Sequence, residues 1–266
     1  MAARRSLRLV ALGYLALLLA APVGMVFYRA FEHGAGPVFD ALTTPGAQHA
    51  LWLTLLVVAI AVPANTAFGI GMALLLARGR FRGRALLDRM IDLPFAVSPV
   101  VVGLALILVY GEDGWLGGRL ADAGIRVIFS TPGIVLATIF VSLPFVVREV
   151  LPVLREVGDE QEQAAHTLGA TPWQTFRRVT LPAIRPAVIY GVVLSTARAL
   201  GEFGAVSVVS GKIQGRTETL TLYVQNRYDG FDYTGTYSVA VLLALIGIGV
   251  LVALTLLSRR RSQHGY

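Results

Sequence analysis

The sequence predicts an all-α membrane protein with six transmembrane helices. Three observations predict it. Apolar residues make up 55% of the 266 residues and charged ones only 15%, with a mean hydropathy of +0.67. The apolar residues are gathered into runs close to the roughly 20 residues that a helix needs to cross a bilayer. The loops between these runs alternate between Arg-rich and acidic, as they do when a chain is threaded back and forth across a membrane.

The first span runs from Leu9 to about Phe27, behind Arg4, Arg5 and Arg8. A signal peptide shares that basic start, but this run is too long and lacks a clean small-x-small cleavage site. Residues 32–48 carry Glu32, His33 and Asp40 among Gly, Pro and Thr, and read as an exposed loop. The second span covers about 50–77, with Pro63 and Asn65 near its middle as a packing kink. Arg78, Arg80, Arg82, Arg84 and Arg89 follow as a basic membrane-side anchor. The third span, about 90–110, opens with Asp92-Leu93-Pro94 and contains Ser98-Pro99. A Gly-rich acidic loop separates it from the fourth span, about 132–150, which holds Ser142 and Pro144 and ends at Arg148 and Glu149. The fifth span covers about 184–207. After a mixed loop over 212–235, the sixth covers about 236–257 and closes on Arg259, Arg260 and Arg261.

The charges fix the expected topology. The N-terminus, the 78–89 loop, the 148–185 loop and the C-terminus together hold 16 of the 23 basic residues. The intervening loops, with the end of the first span, hold six against eight acidic residues. Both termini and the 158–182 loop are therefore expected in the cytoplasm. The net charge of +7 is thus accounted for by topology, and no nucleic-acid partner is expected. A single transmembrane domain, 1–266, is expected.

Within the membrane, Arg198 and Glu202 are four apart in ARALGEFGAVSVVSG and are expected on one helix face. Either charge left unpaired there would cost about 2.5–3.5 kcal/mol, so a pair is expected. Two readings stay open: a buried structural ion pair, or residues lining a translocation path or its gate. Ser98, Pro99, Ser142 and Ser195 are candidates for the same path. Catalytic signatures are absent: no G-x-x-x-x-G-K-[ST] loop, no G-x-S-x-G, no H-E-x-x-H, no cysteine, and four scattered histidines. The chain is expected to hold no cofactor or metal and to be no enzyme.

The polar island Gly158–Pro182 reads as two short helices. Asp159 and Glu162 have capping-box spacing, as do Thr171 and Gln174, with Pro172 at the first helical position. Gly169 sits where a helix end needs left-handed backbone, and Leu181-Pro182 is expected to stop the second helix. So small a helix buries too little to stand alone, and it needs a groove.

Gln163-Ala164-Ala165, Gly169 four residues on, Phe176 and Leu181-Pro182 resemble the EAA loop of ABC importer permeases. Gln163 stands where that family usually has Glu, with Glu162 one place earlier. IDLPFAVSPVVV, LPFVVREV and the ARALGEFGAVSVVSG core are similar to the permeases of sulfate and molybdate importers, and GRTETLTLYV is closer to the sulfate/thiosulfate type. The resemblance implies a type I importer fold whose 158–182 loop is a coupling helix, with Glu162, Gln163, Ala164, Ala165, Gly169, Leu181 and Pro182 seated against an ATPase. It also implies a bacterial inner-membrane location, a second homologous permease, two copies of an ATPase that carry ATP and Mg, and an extracytoplasmic sulfate-binding protein. A molybdate or tungstate permease is the alternative within the class. A non-transporting scaffold or sensor subunit, which would need neither Arg198 nor the loop, is the alternative outside it.

Overall fold

The computed structural model describes residues 10–262; Leu9, the basic N-terminal arginines and His264 lie outside the described residues. Five described helices are long and apolar enough to cross a bilayer. They are α1 (Val10–Phe31), α3 (Pro45–Arg78), α8 (Thr131–Val157), α10 (Pro172–Leu200) and α13 (Tyr233–Ser262), the last over Tyr233–Val250. Shorter helices connect them: α2 (Gly36–Thr43), α4 (Arg84–Met90), α5 (Leu93–Ala96), α6 (Pro99–Tyr110), α7 (Gly117–Asp122), α9 (Glu160–Thr167), α11 (Gly204–Val209) and α12 (Leu220–Asp229).

The core of the subunit is the α3–α8–α10 crossing. Val146 of α8 lies between two glycines there. A Cβ on Gly69 of α3 would stand 2.6 Å from the Val146 Cβ, and one on Gly191 of α10 would stand 2.9 Å from its Cα. Glycine at both places lets the backbones close to a distance that no side chain allows, and in a membrane such dispersion contact replaces hydrophobic expulsion. Leu76, Val147, Val150, Leu154 and Ile184 fill the space toward one end of the bundle. Leu53, Val57, Ile134, Val141, Val206 and Val209 fill it toward the other. Asn65 does more than kink α3. Its Nδ2 donates to Ser142 Oγ at 2.8 Å and to Ile139 O at 3.0 Å, one residue from the carbonyl that Pro144 leaves without a donor.

Several expected boundaries move. The third span is not one continuous helix: Pro94 and Pro99 divide it, and α6 has 12 residues, which at 1.5 Å each reach about 18 Å against a hydrocarbon core near 30 Å. The fourth runs to Val157, seven residues beyond Val150, and ends at Gly158, whose φ is +69°; Arg148 lies within it, paired to Asp92. The fifth ends at Leu200, and α11 resumes after a break. The 32–48 loop contains α2, and the 212–235 loop contains α12, where Leu220 and Tyr223 are buried.

Leu181-Pro182 does not stop a helix. Phe176–Thr180 forms a π-turn in which Leu181 N–H reaches back five residues to Phe176 O, and the helix continues to Leu200. Ala16–Ala20 does the same just before Pro22, through Ala21 N–H to Ala16 O. A proline lacks the donor for the carbonyl four residues back and clashes with it, and a wider turn placed before it relieves both faults.

Candidate functional site

Two constructions stand out. The first is the hairpin α9–α10 at the end of the bundle where α3 and α8 finish. Gly169 has φ +83°, and the α9 terminus closes with Ala170 N–H on Ala165 O at 3.0 Å and Gly169 N–H on His166 O at 3.0 Å, a Schellman ending that the left-handed glycine makes possible. Thr171 and Gln174 form the expected reciprocal capping box, at 3.3 and 2.9 Å. Asp159 and Glu162 do not. Asp159 makes no side-chain cap, and Glu162 turns away, because stronger partners compete for it. Arg78 Nε donates to Glu162 Oε2 at 3.0 Å, and Thr180 Oγ1 donates to Glu162 Oε1 at 2.8 Å.

What remains at the hairpin tip is apolar and uncovered. Leu168 is 88% exposed and Trp173 67%, with Trp173 stacked on Phe176 at 5.6 Å between centroids. Gln163, Ala164 and Gly169 are exposed beside them. Leu168 and Trp173 are thus large apolar side chains left uncovered at a tight turn.

The second construction is the break between α10 and α11. Arg198 Nη2 lies 2.6 Å from Glu202 Oε2. The pair does not lie along one helix face, since α10 ends at Leu200 and Glu202 lies in the break itself. There Glu202 Oε1 accepts the Ala205 N–H at 2.8 Å, and Thr221 Oγ1 donates to Glu202 O at 2.7 Å. The carboxylate therefore caps the α11 half-helix and neutralises Arg198 at once. Its side chain is 2% exposed, whereas that of Arg198 keeps 30%. Gly204 packs so tightly on Pro99 that a Cβ would come to 2.8 Å of its Cβ, so Pro99 and its neighbour Ser98 are brought to the break. Ser142 and Ser195 are not brought there. Both are fully buried within the subunit, Ser142 bonded to Asn65 and Ser195 Oγ without a partner among the described residues.

A network that the sequence reading overlooked ties α4 and α5 to α8. Arg148 donates Nε and Nη2 to the two oxygens of Asp92, both at 2.7 Å, and Nη1 to Asp88 Oδ1 at 2.6 Å. Burial pushes the Asp88 carboxyl up, but the hydrogen bond and charge of Arg148, aided by Arg155, win and hold it below the usual carboxylate range. At the opposite end of the bundle, burial pushes Glu218 up, against a hydrogen bond from Asn226 Nδ2 at 2.9 Å and the more distant charge of Arg227. The two carboxylates differ because one meets guanidinium groups directly and the other meets an amide.

Long apolar helices and a tightly packed three-helix centre define a multi-pass membrane protein, with a polar hairpin whose apolar tip is uncovered. The profile of the family described as "Binding-protein-dependent transport system inner membrane component" matches residues 65–263, and this chain belongs to that family. It is 51% identical over 255 residues to the sulfate transport system permease protein CysW of Synechocystis sp., covering 96% of this chain and 92% of that one. It is 40% identical over 247 residues to the permease protein CysT of Salmonella typhimurium, covering 93% and 89%. In fold it is similar to a chain of a bacterial ABC transporter that imports the acidic polysaccharide alginate, with a TM-score of 0.81, 18% identity, and coverage of 96% and 94%.

Proposed function

We propose that this chain is the membrane-spanning permease subunit of an ATP-driven sulfate/thiosulfate importer. The observation that carries the substrate is the 51% identity to a CysW permease along nearly the whole chain, against 40% to a CysT permease. The same contrast supports a CysT-like sister subunit as the other half of the pore. In this reading six segments cross the membrane, the broken α5–α6 pair being the third. Both termini and the hairpin are cytoplasmic, as the Arg distribution favours.

The hairpin is the coupling element. Leu168, Trp173, Gln163, Ala164, Ala165 and Gly169 would seat in an ATPase groove, with one ATPase copy on each permease and ATP and Mg held by those partners. An extracytoplasmic binding protein would deliver the anion. Importing a dianion into a cell with a negative interior costs about 2.3 kcal/mol per charge per 100 mV, and a passive pore would run outward. The exposed part of Arg198, with Ser98 and Pro99 brought to the same break, would face the path, with Glu202 tempering its charge so that sulfate passes without being held.

The test is reconstitution in proteoliposomes with sister permease, ATPase and sulfate-binding protein. Labelled sulfate should accumulate only with ATP on the ATPase side and binding protein on the other. Uptake of molybdate with a molybdate-binding protein, but not of sulfate, would overturn the substrate assignment. Sulfate uptake unaffected by omitting this chain would overturn the permease assignment.

A further inference from the structure

We infer that Arg78 is a positioning residue: it makes the hairpin rigid with the membrane helices, so that a displacement of the hairpin is delivered to the bundle. This rests on the coupling role proposed above. Helix α9 buries none of its residues, so apolar packing does not hold it to the subunit. Its side-chain ties to the other helices run through Glu162, and the larger part of them comes from one guanidinium in the last turn of α3. Arg78 donates Nε and Nη2 to the two Glu162 oxygens at 3.0 and 3.3 Å, Nη1 to Leu154 O at 3.0 Å, and Nη2 also to Gly158 O. The two carbonyls belong to the C-terminal turn of α8 and the residue that ends it, where backbone acceptors lack helical donors and a cation is favoured.

Glu162 in turn accepts from Thr180 in the π-turn of α10. One ion pair thus joins α3, the end of α8, α9 and the start of α10. Its side chains are only 24% and 18% exposed, in contrast to Arg80, Arg82 and Arg89, which are exposed as membrane-side anchors are. The fork geometry matters: a planar guanidinium can serve a carboxylate and two carbonyls together, which an ammonium cannot.

The test uses the complete reconstituted complex, and cysteine chemistry in this subunit is clean because the chain has no cysteine. Arg78→Ala and Arg78→Lys should each leave assembly and basal ATP hydrolysis near wild type. They should lower uptake per ATP hydrolysed by about two- to thirtyfold, the range of coupling changes from residues between two sites, with Lys the milder. The double variant Arg78→Cys/Glu162→Cys should be uncoupled in the same way and regain coupling when a short bismaleimide joins the two thiols. A merely stabilising role would instead lower assembled complex, basal hydrolysis and uptake in proportion. That result, or an unchanged uptake-to-ATP ratio in Arg78→Ala, or an intact cross-linked complex that stays uncoupled, overturns the inference alone. A wild-type chain that binds no ATPase overturns the proposed function and this inference together.

Discussion

Gly69 and Val146 approach so closely that a methyl group on the glycine would stand 2.6 Å from the valine Cβ, well inside van der Waals contact. The α3–α8 crossing, on which the rest of the bundle is assembled, is this close because residue 69 has no side chain. Gly69→Ala is therefore expected to cost about 1–3 kcal/mol by overpacking, read as a lower melting temperature in detergent. Gly71, two residues on and with open space around its Cα, is the control. Gly71→Ala should be neutral or slightly stabilising, since alanine is the better helix former.

Glu202 serves two partners, and substitutions separate them. Glu202→Gln keeps an oxygen for the Ala205 N–H and loses the charge opposite Arg198; Glu202→Ala loses both. The alanine variant is expected to melt lower than the glutamine variant by about 1–3 kcal/mol, for a buried donor left without its acceptor. Sulfate uptake should respond to either, since both leave Arg198 uncompensated. Equal melting temperatures for the two variants would show that the cap contributes nothing.

The hairpin tip separates stability from docking. Leu168→Asp and Trp173→Ala alter side chains that are 88% and 67% exposed, so the subunit's own melting temperature should stay within about 0.5 kcal/mol of wild type. Copurification of the ATPase and ATP-driven uptake should fall sharply. Gly169→Leu should do both kinds of damage, because φ +83° is strained for any side chain by about 1–2 kcal/mol.

The two perturbed carboxylates give opposite pH slopes. Asp88 is held low, so its contribution is present above the usual carboxylate range and is lost as pH falls through its depressed folded value. Asp88→Asn should lower stability at neutral pH and flatten the acid limb. Glu218 is pushed up, so the folded state binds the extra proton and stability falls as pH rises from the usual carboxylate range through the raised folded value. Glu218→Gln should remove that fall, leaving the protein as stable as wild type or more so above it. Thermal melts of the purified subunit across pH with both variants check the signs.

Much of this was legible in the residues. Long apolar runs leave a chain little choice but helices in a bilayer. The Thr171–Gln174 box and Gly169 mark local hydrogen bonds that close within a few residues, and all formed as read. Asp159–Glu162 has the same spacing yet failed, because Arg78, 84 positions away from Glu162, offered a charge that a backbone N–H cannot match. Nothing local distinguishes Arg78 from the four arginines that follow it, and the Asp92–Arg148 bond spans 56 positions in the same hidden way.

By itself, then, the sequence determined the helical membrane class, the polar hairpin and its family pattern, since these rest on composition and on contacts between near neighbours. Tertiary structure alone decided that π-turns absorb Pro22 and Pro182, that Glu202 caps a half-helix within a break, and that Arg78 and Thr180 meet at Glu162. Each of those depends on which distant partner comes within about 3 Å, and hydrogen-bond and charge energies fall off too steeply for spacing along the chain to reveal it.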